Sequence, residues 1–413
     1  MNILYICHRI PYPPDKGDKI RSYHQVVELS RRHRVHVACL VDAREDFAHV
    51  EALRERCASV EVAPRGALGS ALRALGALLS GGSLSVAAFR SGALHRAIAR
   101  RVERDRPDAV VVFSSAMAPY ALQQAAGTPR VLDLVDVDSE KWRDMAERTG
   151  FPLSWVYRVE ADRLGREEAR YAARFDRTIL VSHQEAALFR ERGGNGSVLV
   201  VPNGVDFEYF RPRAPRTEAD RSCRIVFVGV MDYWPNLDAA TYFCDDILPV
   251  IQRSIPETTF TIVGRNPTAR VQALARRRGV TVTGTVPDVR PYLADATVAV
   301  APFRVARGIQ NKVLEALASG VPVVSTSVGV QGMALESDSG VFVADDPGAQ
   351  AAEIVKLARD HAHWIRRSRE GRQFVERSHR WEDHGTSLNR VLEEIRLGDP
   401  VSAAPHAAGA GGD

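Results

Sequence analysis

The chain has 413 residues, of which 45% are hydrophobic and 26% are charged, an ordinary balance for a soluble globular protein. This length exceeds one typical domain and favours two domains of roughly 200 residues each. The net charge is +4, and the five cysteines are scattered without a CxxC pair, which argues against a zinc site and a disulfide framework.

Targeting signals are not evident in the sequence. No run approaches the roughly eighteen apolar residues that a membrane span needs. The apolar start at residues 1–6 is too short for a signal peptide and is soon followed by polar residues. A reduced, cytoplasmic location is the prediction.

Apolar β-like runs alternate with helical stretches along the chain, which predicts an α/β protein with parallel sheets. Near-continuous apolar runs such as VVVF indicate strands that are buried on both faces. The strands predicted in the first half are Asn2–Cys7, Val35–Leu40, Ser59–Ala63, Ala109–Phe113, Arg130–Leu134, Arg177–Val181 and Ser197–Val200. Those predicted in the second half are Arg224–Gly229, Thr259–Val263, Val280–Thr283, Val298–Ala301, Pro322–Ser325 and Gly340–Val343.

The first quarter of the chain carries more Lys and Arg than Asp and Glu, which indicates an anionic partner. Nucleic acid is disfavoured because no basic run is interleaved with aromatic residues. The segment 66–79 (GALGSALRALGALL), with Arg65 and Arg73, is apolar and compatible with a helix. Such a helix either packs in the core or lies on an anionic membrane surface, and the sequence leaves both open.

A turn at 201–206 (VPNGVD) separates the two halves, and the polar segment Arg211–Ser222 resembles a linker. The helical stretch Ala362–Leu397 closes the fold. We therefore predict an N-terminal domain at 1–203 and a C-terminal domain at 204–378. A last helix at 379–397 is predicted to return to the N-terminal domain, and the tail at 398–413 to be disordered.

The most informative segment runs from Ala301 to Thr326, where a strand, a basic loop with a glycine and a helix follow one another. A helix N-terminus offers unpaired N–H groups and a positive dipole end. Arg307 and Lys312 add charge, and Gly308 permits a close backbone approach. Glu315 lies about one turn after Lys312 and suits sugar hydroxyls. The alternative is a solvated helix start with a surface glutamate.

Ligands bind at the carboxyl ends of parallel strands, so two loops are predicted to face one cleft. One is the basic loop at 302–312. The other is the early loop His8–Ser22, which follows the first strand and contains Gly17, Asp18, Lys19 and Arg21.

The order and spacing of these motifs resemble the retaining glycosyltransferases of family 4, which have the GT-B fold and use nucleotide-sugar donors. The resemblance covers nearly the whole chain. It is carried by the loop with Pro13, Gly17 and Asp18, by 201–206, FVG at 227–229, IVG at 262–264, GTVPDVRPYLADA at 284–296, and the block from Lys312 to Val324. VDVDSEKW (135–142), FVGVMDYWPNLDA (227–239) and ARGIQNKVLEALASG (306–320) further resemble sugar transferases associated with exosortase and PEP-CTERM systems.

The resemblance implies two Rossmann-like domains facing each other across a cleft, with the nucleotide on the C-terminal domain. Glu315 would accept hydrogen bonds from the ribose hydroxyls, and Lys312 with Arg307 would neutralise the diphosphate. No metal or other cofactor is implied, because lysine and arginine supply the positive charge. The predicted substrate contacts are Glu315, Gly17, Asp18, Gly229, Asn236, Gly264, Val286, Gly308 and Asn311.

Three positions depart from the family pattern. Arg307 stands where the first glutamate of an E-x7-E motif is usual, and no Lys or Arg closely follows Gly229. Ser114 and Ser115 stand where family members often have a histidine, just after the predicted strand Ala109–Phe113. Asp136 and Asp138 are then the best polar candidates, and with Lys312 and Arg307 they form the predicted catalytic set. We expect these aspartates to hydrogen-bond the acceptor or donor sugar. The alternatives are a helix cap by Asp138 or Ser139 and, less favoured, a DxD metal motif.

The predicted function is transfer of a sugar, with retained configuration, from a nucleotide-sugar to a growing glycan. We expect the acceptor glycan to be carried on a polyprenyl-diphosphate lipid at the cytoplasmic membrane face, in exopolysaccharide biosynthesis. Two alternatives stay open. One is a catalytically idle nucleotide-binding subunit of a polysaccharide assembly system, and the other is a nucleotide-sugar epimerase.

Overall fold

The computed structural model describes residues 1–42, 44–212, 217 and 222–398. Most of the predicted linker Arg211–Ser222 and the tail after Gly398 lie outside the described residues. The strands of the first sheet are β1 (Asn2–Cys7), β2 (Arg34–Val41), β3 (Ser59–Pro64), β4 (Ala109–Phe113), β5 (Arg130–Val135), β6 (Arg177–Leu180) and β7 (Val198–Val200). Those of the second are β8 (Arg224–Val228), β9 (Thr259–Val263), β10 (Val280–Val282), β11 (Val298–Ala301), β12 (Val323–Ser325) and β13 (Val341–Val343).

Both sheets are parallel and doubly wound. The order is β3-β2-β1-β4-β5-β6-β7 in the first sheet and β10-β9-β8-β11-β12-β13 in the second. In the first sheet β1 pairs with β2 on one side and with β4 on the other, so the strand order reverses beside β1. In the second sheet β8 pairs with both β9 and β11 in the same way. Ligand clefts form at such reversals, at the carboxyl ends of the strands.

Helices cover both faces of each sheet. The α-helices are α1 (Gly17–Ser30), α2 (Val50–Arg54), α3 (Ala67–Ser80), α4 (Leu84–Ala88), α5 (Gly92–Asp105), α6 (Ala118–Gln124), α7 (Asp138–Arg148), α8 (Leu153–Ala172), α9 (His183–Glu191), α10 (Trp234–Tyr242), α11 (Leu248–Ser254), α12 (Ala269–Leu274), α13 (Arg290–Asp295), α14 (Asn311–Ala318), α15 (Pro347–Arg359), α16 (His361–Ser378) and α17 (Trp381–Leu397). None of the described helices is both long enough and apolar enough to cross a membrane.

The strands lie within two residues of their predicted bounds, because runs buried on both faces are apolar at almost every position. The predicted early loop is wrong in its second half, since α1 begins at Gly17 and turns Lys19 and Arg21 inward. The loop at 302–312 ends where α14 begins, at Asn311. The predicted helix Ala362–Leu397 is two helices, α16 and α17, interrupted at 379–380.

The chain passes between the two sheets at two neighbouring places, 201–205 and 379–381. The Val205 N–H donates to the carbonyl oxygen of His379 at 2.9 Å, and the ring Nδ1 of His379 lies 2.7 Å from the carbonyl oxygen of Asn203. A β-carbon on Gly204 would stand 2.8 Å from Trp381, so the two passages are in close contact.

Helix α17 packs on α1 and completes the core of the first sheet. Leu388 and Leu392 belong to the same buried cluster as Ile3, Tyr5 and residues of β2 and β4. A second cluster covers the opposite face of this sheet, and a third lies inside the second sheet and its helices. The last helix in the sequence therefore contributes to the core of the first sheet, whose strands come from the first half of the chain.

Candidate active site

Lys312 lies in the first turn of α14, at the carboxyl ends of β8 and β11. Its Nζ donates a hydrogen bond of 2.6 Å to Oδ1 of Asn236 in α10. The ammonium stands over two rings, 4.8 Å from the centroid of Phe227 and 4.7 Å from that of Phe303. No ion pair holds this lysine within the part of the chain that the structure describes. The lysine is therefore oriented by a neutral amide and by two aromatic rings.

Glu315 follows one turn later on α14 and is also half-buried. Burial lowers the pKa of Lys312 to about 7 and raises the pKa of Glu315 to about 7. Each charge offsets part of the shift of the other, because opposite charges favour both ionised forms. The pair is therefore poised near neutral pH, and an anion bound beside Lys312 would favour the ammonium form.

Two glycines at strand ends leave space beside this lysine. A β-carbon on Gly229 would lie 2.9 Å from the Asn236 amide and 3.0 Å from the Lys312 Nζ. Gly264 has a φ of +153°, and a β-carbon there would lie 1.6 Å from the carbonyl oxygen of Gly229. The structure thus brings together four predicted residues at one point, Lys312, Asn236, Gly229 and Gly264.

The arginines of the basic loop have partners elsewhere. The Arg304 Nε donates to Oδ2 of Asp238 at 3.0 Å, and its guanidinium lies 4.9 Å from the ring centroid of Tyr242. The Arg307 guanidinium donates to both carboxylate oxygens of Asp144 in α7, at 2.6 and 2.9 Å. Arg307 therefore crosses the cleft to a carboxylate of the first half of the chain, an arrangement that the sequence did not predict.

Asp136 and Asp138 follow β5 and flank the start of α7. Lys141 Nζ binds both carboxylates, at 3.0 Å from Asp136 and 2.9 Å from Asp138. Burial alone would lower the pKa of Lys141, but these carboxylates raise it well above its ordinary value. An ammonium therefore occupies the position between the two aspartates where a DxD motif would hold a metal ion.

The capping alternative for this aspartate pair is wrong. The N-cap residue of α7 is Val137, which makes no side-chain capping bond, and the Ser139 N–H of the first turn donates to Oε1 of Glu168 at 3.3 Å. The Ser139 hydroxyl donates instead to Oε2 of Glu168 at 2.6 Å. Val135 has a φ of +67°, which is uncommon for a β-branched residue and indicates local strain just before Asp136. Such strain tends to occur at functional sites.

On the other wall, α1 begins at Gly17. A β-carbon on Gly17 would lie 3.9 Å from the Asn311 amide nitrogen, so the N-termini of α1 and α14 meet across the cleft. The side chain of Asn311 accepts a 2.9 Å hydrogen bond from the Asn203 amide. The positive dipole ends of α1 and α14 therefore lie close together, which favours an anion between them.

Asp18 is engaged within its own half of the chain. Its Oδ2 lies 3.1 Å from the His8 Nε2 and accepts a 2.8 Å hydrogen bond from the Arg9 Nη1. Burial would raise the pKa of Asp18, but these bonds hold it well below its ordinary value. Val286 lies between β10 and α13, half-buried against the core of the second sheet. The predicted contacts of these two residues with substrate stay predictions.

Arg21 is a structurally important residue that the sequence reasoning misplaced in a loop. It is 1% exposed and donates from Nε to Oδ2 of Asp133 at 2.9 Å. Its Nη1 donates to the carbonyl oxygen of Val201 at 2.8 Å and to Oδ1 of Asn203 at 3.0 Å. A helix predicted from Gly17 onward would have placed Arg21 on a helix face that can point inward.

Two family models match the chain in succession. A glycosyl transferase 4-like domain matches residues 19–204, and glycosyl transferases group 1 matches residues 222–360. The chain belongs to the glycosyltransferases that combine these two domains. The first match contains β2 to β7 and the second contains β8 to β13, so each match corresponds to one of the two sheets.

Similar proteins support this assignment. Glycogen synthase from Mycobacterium tuberculosis is 27% identical over 217 residues, which are 50% of each chain. This glycosyltransferase spans about half the length of the curated relatives it matches.

Solved structures confirm the GT-B fold. Sucrose-phosphate synthase from Thermosynechococcus elongatus superposes with a TM-score of 0.70 at 15% identity, over 97% of this chain and 100% of the other. HepE of Anabaena, solved with UDP-glucose, gives 0.66 at 14% identity, over 95% of this chain and 100% of the other.

Proposed function

We propose that this glycosyltransferase moves a sugar from a nucleotide-sugar donor to a glycan hydroxyl, with retained configuration and without a metal ion. The observation that carries the proposal is the position of the Lys312 ammonium. Lys312 lies at the N-terminus of α14, where Asn236 fixes its ammonium beside Gly229 and Gly264. This arrangement suits a diphosphate, because a charged donor and free helix N–H groups converge on one point.

The proposed chemistry depends on charge at the leaving group. As the bond from the sugar C1 to the diphosphate oxygen breaks, negative charge accumulates on the diphosphate, and the Lys312 ammonium stabilises it. The acceptor hydroxyl attacks C1 on the same face, and its proton passes to an oxygen of the departing diphosphate. Glu315 holds the ribose hydroxyls and so fixes the donor.

A uridine nucleotide is the first donor to test, since HepE of Anabaena was solved with UDP-glucose. Asp136 is proposed to hydrogen-bond the sugar, because its Oδ1 is buried and has no hydrogen-bond partner among the described residues. The ion pairs of Lys141 with Asp136 and Asp138 support a reaction without a metal ion.

The acceptor is proposed to be a glycan on a polyprenyl-diphosphate lipid, in exopolysaccharide biosynthesis at the inner membrane face. Helix α3 supports a membrane contact because Leu72, Leu75 and Leu79 are 62%, 56% and 83% exposed. These positions recur at a helical spacing and so lie along one side of α3. An apolar stripe of this kind suits a helix that lies in a lipid interface.

A donor screen tests the proposal. UDP-, GDP-, ADP- and dTDP-sugars are compared by thermal shift, and nucleoside diphosphate released in the presence of membrane extract is measured by mass spectrometry. One donor that both stabilises and is consumed supports the proposal, and the anomeric configuration of the product is then read by NMR. Stabilisation without consumption would favour the idle subunit. Isomerised nucleotide-sugar without acceptor would favour the epimerase.

A further inference from the structure

The loop at Arg307 and Gly308 rests on helix α7 of the other half of the chain. Two nitrogens of the Arg307 guanidinium donate to the two oxygens of Asp144, and Oε2 of Glu140 lies 3.9 Å from Nη2. The side chains of Arg307 and Asp144 are 22% and 28% exposed. This is a bidentate, partly desolvated ion pair across the cleft, and such pairs fix geometry as well as adding energy.

The next residue makes a second contact with the same region. Gly308 has a φ of +63°, and a β-carbon there would lie 2.2 Å from Oδ1 of Asp136. A third contact lies at the far end of α7, where the Arg148 guanidinium stands 4.6 Å from the ring centroid of Trp234. Helix α7 and the residues just before it therefore contact the second half of the chain at three places.

We propose that Arg307 is a positioning residue. With Asp144 and Glu140 it forms a cross-cleft clasp, which holds α7 against the loop and sets Asp136 beside Gly308. The role of Asp136 rests on the proposed function, whereas the clasp itself is a statement about how the two halves of the chain are held together. The clasp replaces the glutamate–sugar contact that the family pattern would place at residue 307.

The surroundings of Arg307 favour a clasp over a phosphate contact. Its charge interacts with the carboxylates of Asp144, Glu185 and Glu140 together. A diphosphate would have to displace Asp144 and would then face these acidic groups. Glu140 also lies 3.0 Å from guanidinium nitrogens of both Arg143 and Arg192, so the acidic side of the clasp is fixed from behind.

A charge exchange separates the two roles. Asp144→Arg and Arg307→Asp are made singly and together in the full chain, and turnover and UDP dissociation constants are measured. For a clasp, each single change lowers kcat at least about tenfold, because misplacement of the reacting groups is costly. UDP affinity changes less than about twofold, and the double exchange restores most of kcat.

The opposite pattern would overturn the clasp. If Arg307 binds the diphosphate, Arg307→Asp alone weakens UDP binding by more than about tenfold, and Asp144→Arg does not repair it. The matched control is the surface pair Arg54 and Glu51, both on α2, whose exchange leaves kcat unchanged. Thermal melting identifies any variant that fails to fold, and Asp144→Asn then takes its place with the same expected split between kcat and affinity.

A structural readout keeps this test independent of the proposed function. Small-angle X-ray scattering of the protein without substrate is expected to give a larger radius of gyration for each single variant and the original value for the double exchange. Unchanged scattering for both single variants contradicts the clasp. If the unaltered protein binds and consumes no donor while the scattering follows the exchange, the proposed function fails and the clasp stands.

Discussion

The Lys312 ammonium donates a 2.6 Å hydrogen bond to Oδ1 of Asn236, which joins the first turns of α14 and α10. The Asn236 amide nitrogen donates in turn to the carbonyl oxygen of Val230 at 2.8 Å, which fixes the direction of its oxygen. A neutral group therefore orients the lysine. Because no carboxylate of the described residues forms an ion pair with Lys312, its ammonium form can pair with a diphosphate.

The affinity for UDP is expected to fall as the pH rises above 7. The pKa of Lys312 is lowered to about 7, so the free protein loses the ammonium form above this pH, while a bound diphosphate favours it. The decrease approaches about tenfold per pH unit between pH 8 and 9, where the phosphate charge is constant. Calorimetric titrations at pH 7, 8 and 9 measure it. Lys312→Arg keeps its charge and should show a much flatter profile. A flat profile for the unaltered protein would remove Lys312 from the phosphate site.

Glu315→Ala is expected to weaken UDP binding about tenfold or more, because a charge-assisted hydrogen bond contributes about 1.5–3 kcal/mol. The sharper measurement compares UDP with its 2′-deoxy and 3′-deoxy analogues. The unaltered protein should discriminate against at least one analogue, and Glu315→Ala should lose that discrimination. Equal discrimination in both proteins would show that Glu315 does not contact the ribose. The exposed Glu51→Ala serves as the control.

Gly264→Ala is expected to destabilise the protein by about 3 kcal/mol or more, since overpacking and an unsuitable φ combine. A β-carbon would lie 1.6 Å from the Gly229 carbonyl oxygen, so β8 and β9 would have to separate at the active site. Urea denaturation and UDP binding should both report the loss. Gly76→Ala, in the open face of α3, is the control and should stabilise slightly. A neutral Gly264→Ala would mean that the two strand ends are free to move.

Arg21→Ala is expected to cost about 3–5 kcal/mol, because it leaves a buried carboxylate unpaired. Asp133 is 0% exposed, and Gln25 would be its remaining side-chain partner among the described residues. Arg21→Lys should recover little, since one ammonium cannot reach Asp133, Val201 and Asn203 together. Chemical denaturation measures both variants against Arg54→Ala, whose ion pair is exposed. A cost below about 1 kcal/mol would contradict the role of Arg21.

Replacing Leu72, Leu75 and Leu79 together by Ser is expected to reduce binding to vesicles that contain phosphatidylglycerol by more than about tenfold, because each buried leucine contributes about 1.5–3 kcal/mol. Vesicle co-sedimentation measures the loss. Leu397→Ser, at another exposed leucine, should have little effect. Equal sedimentation of the triple variant and the unaltered protein would assign α3 a different partner. Neutral phosphatidylcholine vesicles test the contribution of charge.

Local patterns predicted the parts of this protein that depend on neighbours in the sequence. Continuous apolar runs predicted the buried strands. The spacing of Lys312 and Glu315 predicted that they lie one turn apart on one helix. The partners of Arg307 and Arg21 could not be predicted in this way. Asp144 lies 163 residues from Arg307, and Asp133 lies 112 residues from Arg21. The contact between the two halves of the chain brings Arg307 to Asp144, and the packing of α1 on the first sheet brings Arg21 to Asp133. A single sequence carries no periodicity that encodes either contact.

The position of α17 has a consequence for the order in which this protein is made. Leu388 and Leu392 fill the core beside β1 and β2, although a ribosome synthesises them some 350 residues later. The first sheet therefore emerges from the ribosome with part of its apolar surface uncovered. That surface stays uncovered until the second sheet and α17 have been synthesised. A chain cut after residue 378 would retain α16 and every residue predicted to contact the donor, and its first domain would still lack α17.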